Sequence, residues 1–162
     1  MAQYNGYIVR KVNGDDINEL SEILVKSFNM SNPNTPWDFD HAKAYMLYWL
    51  EKEPNLFYGA FIGNTPIAAR AVNIKPWRTS VRVDEDFYVK NPDVYIKGSS
   101  SALLKTVLLE AKQKYGATAL EVVALTDDKD HIKWLKSMGI KRDKGSVPMK
   151  GEIDEILKHL ES

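Results

Sequence analysis

Residues 86–109 pass from a strand through a loop of small residues into a helix, and that order restricts what the rest of the chain can build. Asp86-Phe87-Tyr88-Val89 has the composition of a strand, and Pro92 ends it. Lys97-Gly98-Ser99-Ser100 is a Gly/Ser loop, and Ser101-Ala102-Leu103-Leu104 carries on as a helix. The first turn of a helix carries N–H groups with no intrahelical acceptor, and the helix dipole favours negative charge beside them. Small residues let a ligand reach that backbone, so Lys97, Gly98, Ser99, Ser100, Ser101 and Ala102 form a candidate anion site, with Lys97 adding a cation. The same residues would also serve as a Ser-rich helix cap that holds no ligand.

Periodicity supplies the surroundings. Residues 7–12 read as a first strand. Asp16 with Glu19 has capping-box spacing, and Ile17, Leu20, Ile23, Leu24 and Phe28 then recur at helical intervals. Asp38 or Asp40 can cap a second helix running to about Glu53, where Pro54 stops it. Residues 56–62 and 67–74 are strands joined by Gly63-Asn64-Thr65-Pro66. Pro76-Trp77 interrupts, and residues 81–89 form the fourth strand. The helix after the loop carries Leu103, Leu104, Val107, Leu108 and Ala111 on one side and ends at Gly116. Residues 119–125 are almost all apolar, as a buried parallel strand would be. A short helix over 128–138, a hairpin over 141–150 and a terminal helix over 152–160 complete the pattern. The expected class is α/β (α+β), a mixed central sheet with element order β-α-α-β-β-β-α-β-α-β.

Composition bounds the function. At 162 residues the chain has room for one sizeable core, and residues 1–162 are expected to form a single domain. Lys+Arg and Asp+Glu each total 22, a balance that argues against a dedicated nucleic-acid binder. There is no cysteine, so no disulfide framework, no Cys-ligated zinc and no thiol nucleophile. No His spacing suggests a metal site. No apolar run approaches the roughly 18 residues needed to span a bilayer, and residues 1–6 lack a signal-peptide pattern. The expected location is the cytoplasm, with no membrane partner.

Read together, Val89, Pro92 and Tyr95-Ile96-Lys97-Gly98-Ser99-Ser100 resemble the acyl-CoA-binding motif of the GNAT superfamily of N-acetyltransferases. There a strand ending in Val precedes a Pro, and R/Q-x-x-G-x-G/A opens a helix. Tyr95 stands at the Arg/Gln position, Ser100 stands at the second Gly/Ala position, and one extra residue around Asn91 separates Val89 from Pro92. Leu120-Glu121-Val122 is similar to the family's fifth strand. Asp128, Trp134 and Gly139-Ile140 fall at the Asn, Phe and Gly-Phe positions of its next helix. Leu135 falls where the family often has a Tyr that protonates the departing thiolate. The order of elements is that of the GNAT fold, whose fourth and fifth strands splay apart around the cofactor.

The resemblance implies an N-acyltransferase using acetyl-CoA or another acyl-CoA. It implies pyrophosphate contacts from the 97–102 backbone, with Tyr95 and Asp128 at the same site, and pantetheine contacts from Tyr88 and Val89. Direct attack is expected, since no Cys can carry an acyl group. The amine must shed a proton. Glu121 and Asp86 are the candidate bases, with Asp84 and Glu85 as rivals. Strict alternation would put Asp84 and Asp86 on one face and Glu85 on the other. Tyr88, Tyr95, Ser137 or water can stand in for the missing acid. His131 reads as a solvent-facing residue at a helix start. Trp37, Trp77 and Asp84 are candidates for holding a small-molecule or peptide amine acceptor, while Tyr45 and Trp49 read as core or a dimer face. Two alternatives stay open: a degenerate GNAT-like domain that binds acyl-CoA or a protein partner without turnover, and an interaction module built on the aromatic helices that binds no nucleotide.

Overall fold

The computed structural model describes residues 2–4, 6–31, 33–94, 96–123 and 129–142. The chain divides into two compact units, Met1–Val123 and Ala124–Ser162. In the first unit the elements run β1 (Ala2–Tyr4), β2 (Tyr7–Lys11), a 3-10 turn (Gly14–Asp16), α1 (Ile17–Ser31), α2 (Phe39–Lys52), β3 (Phe57–Ile62), β4 (Thr65–Trp77), β5 (Ser80–Lys90), α3 (Ser99–Tyr115) and β6 (Ala119–Val122). The described part of the second unit holds α4 (Lys129–Ser137), and Gly139 adopts a left-handed φ of 83° just beyond it. The hairpin and terminal helix expected over 143–160 lie outside the described residues.

The described strands form one mixed sheet in sequence order, antiparallel throughout except for the parallel β5–β6 pair. The α/β (α+β) class expected from the sequence is therefore the one found. β1 was not foreseen, because three residues carry no alternation to read. β4 runs on through Pro76 to Trp77; Pro76 sits one pair from the hairpin end, where a lost ladder bond matters little. The first cap also differs from expectation. Asn13 caps the 3-10 turn, its side chain accepting from Asp15 N–H, and Asp16 reaches back to Asn13 N–H at 2.9 Å. Asp16 also takes a two-pronged bond from Arg10, at 2.7 Å for each oxygen. That pairing commits it to the end of β2 rather than to a box with Glu19.

Alternation across the sheet makes two cores. Val9, Tyr58, Ala60, Val72 and Val83 pack with Leu103, Val107 and Ala111 of α3. On the opposite face Phe57, Phe61, Ala69, Ala71, Phe87 and Val89 pack with Leu20, Leu24, Met46 and Trp49 of α1 and α2. Tyr45 and Trp49 thus belong to the core, Trp49 fully and Tyr45 in part. β6 is less buried than its apolar sequence suggests, with Leu120, Glu121 and Val122 all half-exposed.

Candidate active site

Two bulges shift the central strands, and the one on β5 organises the site. Ala71 pairs with Phe87 but Val72 pairs with Glu85, which leaves Asp86 as an extra residue on β5. A bulge of this kind bends a strand and ends its regular alternation. Val83 accordingly packs on the α3 face, whereas Phe87 and Val89 pack on the α1/α2 face. The expectation that Asp84 and Asp86 share a face rested on unbroken alternation, and alternation does not carry through a bulge. β6 pairs with β5 only from Arg82↔Ala119 to Glu85↔Val122. From Asp86 to Lys90, β5 has only β4 as a partner among the described residues, so alternate backbone groups of this stretch face away from β4.

The loop that follows is tied down by its own residues. Asn91, the extra residue before Pro92, is buried; its N–H donates to Ile67 O at 2.8 Å and its side chain to Pro66 O at 3.2 Å. Asp93 N–H bonds back to the Asn91 side chain, and the Asp93 carboxylate pairs with Lys26 of α1. Val94 and Ile96 pack on the core beneath α3, and Lys97 is exposed. Gly98 sits at the helix cap with φ 95° and ψ −13°, and no side chain caps the helix. A Cβ there would touch nothing, so the left-handed backbone, not space, is what calls for glycine. Ser99 N–H bonds Ile96 O at 3.1 Å and Ala102 N–H bonds Gly98 O at 2.9 Å. The N–H groups of Ser100 and Ser101 fall in the first turn, which has no acceptors within the helix. Ser99 is fully buried and its hydroxyl has no hydrogen-bond partner among the described residues. Ser100 is bonded through its hydroxyl to that of Tyr88. Small residues, an uncapped helix start and an adjacent cation fit an anionic ligand such as a pyrophosphate.

Before the bulge, the side of the sheet opposite α3 carries charged residues beside the apolar core made with α1 and α2. Asp84 stands opposite Asn73 on one side and Glu121 on the other. Glu121 is paired with Arg82 and, at 3.4 Å, with Lys75. The Arg82 hydrogen bond, and Lys75 after it, hold the Glu121 carboxyl below its usual range. The Asp84 carboxylate has no hydrogen-bond or ion-pair partner among the described residues. An aromatic run borders this face: Trp37 lies 5.2 Å from Tyr45 and Tyr45 lies 5.7 Å from Phe87, ring centre to ring centre. Asn29 fixes Trp37 by accepting its N–H at 2.7 Å and donating to its carbonyl at 2.9 Å. A shallow depression of about 400 Å³ is lined by Thr35, Pro36, Trp37, Asp38 and His41.

The structure therefore brings Tyr88, Gly98, Ser99, Ser100, Ser101 and Ala102 to one end of the sheet, with Lys97 beside them. It sets Asp84 and Glu121 side by side on the other face. Trp77 ends β4 and Asp86 forms the bulge, but their side chains are not described; Tyr95 and Asp128 lie outside the described residues. Leu135 is the buried position of α4. His131, expected to face solvent at a helix start, is partly buried and stacks on Trp134 at 5.9 Å. Arg70 escaped the sequence reading; it is buried and paired with Glu85, the rival base, which is buried with it, and Asn91, read as the extra motif residue, is buried too. A lone Arg in the apolar run Ile67-Ala68-Ala69-Arg70-Ala71-Val72 was the available signal. Among the described residues no group of acids and histidines could hold a metal ion, and no helix is long and apolar enough to cross a membrane.

No protein-family model and no curated protein sequence matches the chain. Solved structures do. A possible acetyltransferase from Clostridium difficile superposes with a TM-score of 0.75 at 10% identity, covering 91% of this chain and 98% of that one. The aminoglycoside N-acetyltransferase AAC(6')-Iy in complex with CoA gives 0.69 at 13% identity, over 90% and 94%. The ribosomal-protein-alanine N-acetyltransferase from Brucella melitensis gives 0.69 at 16% identity, over 90% and 99%. At these identities the likeness establishes the fold, and the chain folds as the GNAT-type N-acetyltransferases do.

Proposed function

We propose that residues 1–162 form one acyl-CoA-dependent N-acyltransferase domain that acts in the cytoplasm on an amine acceptor. The observation that carries this reading is the left-handed Gly98 start of α3, set beside the part of β5 that β6 leaves unpaired. The neighbours of like fold include an aminoglycoside and a ribosomal-protein-alanine N-acetyltransferase, so a small amine and a peptide N-terminus are the two acceptor classes to compare.

Bound acyl-CoA, acetyl-CoA first among candidates, would supply a thioester carbonyl for the amine to attack. The chain's own groups do the rest. N–H groups of 97–102 hold the pyrophosphate. Backbone N–H groups near Tyr88 and Val89 hold the pantetheine and polarise the carbonyl. Asp84 holds the acceptor ammonium against the wall made by Trp37, with Trp77 at the rim. Glu121 or Asp86 receives the amine proton, directly or through water. Held low by Arg82, Glu121 is a weak base on its own, which favours the water-mediated route. The Tyr88 hydroxyl, in place of the family's usual acid, returns a proton to the leaving thiolate.

Isothermal titration with acetyl-CoA, desulfo-CoA and adenosine diphosphate tests the reading. Micromolar binding that requires the pyrophosphate is expected, and Gly98→Trp should weaken it by about tenfold or more, since a left-handed φ costs an L-residue roughly 1–2 kcal/mol before any clash with ligand. Normal CoA binding by that variant would sink the assignment. Leu135 at the place of the usual Tyr favours a second reading, a domain that binds acyl-CoA without turnover. Tight CoA binding with no acetylation across small amines and peptide N-termini would decide for it.

A further inference from the structure

Arg70 and Glu85 are paired inside the protein, with side-chain exposures of 0% and 4%. Arg70 lies between Ala68 and Val72 of β4 on the face covered by α3, and stands opposite Tyr88 in the ladder. Its guanidinium carbon is 4.5 Å from the centre of the Tyr88 ring. Glu85 is the last residue of β5 before the bulged Asp86. The Tyr88 hydroxyl, in turn, is bonded to Ser100 in the first turn of α3. An unbroken series of contacts thus links the bulge to the loop: Glu85, Arg70, Tyr88, Ser100.

Taking two charges out of water is expensive, and apolar residues of similar volume usually serve stability as well or better. Apolar residues would not supply a planar cation lying on the ring, nor an anion fixing where that cation sits. We propose that the Arg70–Glu85 pair is a positioning device for the cofactor loop: it fixes the Tyr88 ring, and the Tyr88 hydroxyl latches Ser100 so that the first turn of α3 is preformed before ligand arrives. Arg70 and Glu85 are then positioning residues that act through Tyr88. The inference rests on the acyl-CoA reading of the loop for its purpose, though not for the latch itself.

Hydrogen exchange of the ligand-free protein reads the latch directly at the Ser99 and Ala102 amides. Tyr88→Phe keeps the ring and removes the hydroxyl. It should speed exchange at both amides by about three- to tenfold and raise the CoA dissociation constant by a similar factor. In Arg70→Met/Glu85→Met the exchange should already be fast, and adding Tyr88→Phe should change it by less than about twofold. A merely structural pair would lower the melting temperature without this loss of additivity. Arg70→Lys, which keeps the charge but lacks the planar fork, is the second variant should the paired one not fold, and should join the accelerated set. Wild-type exchange in both Arg70 variants, or an undiminished Tyr88→Phe effect in them, overturns the proposal. Accelerated exchange in a protein whose wild type binds no CoA would keep the latch and remove the cofactor reading instead.

Discussion

On the α3 face of the sheet Arg70 meets Glu85 out of water and Tyr88 meets Ser100, while Asn91 in the following loop donates to the Pro66 carbonyl. Across the same strands, Glu121 is one-third exposed and shared by Arg82 and Lys75, while Asp84 stands beside it without a described partner. The first arrangement is closed before any ligand comes; the second keeps charge available to one. Under the proposed function, such a division suits two ligands that differ in kind. An invariant nucleotide handle rewards a rigid receiver, whereas an acceptor amine is best caught by solvated carboxylates that cost little to desolvate in part.

Stability should separate the faces most. Arg70→Met strands the Glu85 charge in the interior and is expected to cost about 3–5 kcal/mol. Arg82→Met breaks an ion pair open to solvent and should cost no more than about 1 kcal/mol. Urea unfolding of the two variants measures the gap, and equal losses would erase the distinction between the faces. Catalysis sharpens the comparison next. Asp84→Asn should raise the acceptor KM about tenfold, the worth of one charge-assisted contact, and leave the CoA dissociation constant where it was. A change in CoA affinity instead would show that the faces are not independent. The smallest effect is in acid. The Glu121 carboxyl is held below its ordinary value of 4.5, so the folded state binds its proton less readily than the unfolded chain. Its contribution to stability is therefore complete above that value and lost as pH falls through the lowered one. Glu121→Gln should flatten the stability curve below about pH 4.5 by less than about 1 kcal/mol, the ceiling for a solvated pair. A larger flattening would mean that this face is more tightly organised than its exposure suggests.

The loop that opens α3 was legible because its signal is local. Gly98, three serines and an amphipathic helix lie within twenty residues, and each pattern rests on nearest-neighbour physics. The strands were legible too, apart from β1, which is too short to alternate, and the end of β4, where Pro76 looks like a stop. What the sequence hid was relational. Nothing in Asp84, Glu85 and Asp86 says that one of them is an extra residue, because a bulge is defined by the partner strand. The pairing of Arg70 with Glu85 spans a hairpin, and the closeness of Glu121 to Arg82 spans a helix. Asn91, read as a surplus residue in the motif, turns out to anchor the loop, and only the Ile67 and Pro66 carbonyls reveal why.

The bulge at Asp86 works on side chains as a frameshift works on codons. Odd-numbered residues of β5 look toward α3 before it and toward α1 and α2 after it, so Phe87 reaches the aromatic wall and Tyr88 reaches the loop. Changing the residue at 86 would alter one position. Deleting it would set Phe87 directly after Glu85 and still opposite Ala71, so ordinary alternation would keep Phe87 and Tyr88 on the sides they now occupy. The bulge therefore holds the one residue of β5 whose loss the ladder can absorb, whereas a deletion within residues 87–90 would turn every residue beyond it to the opposite side.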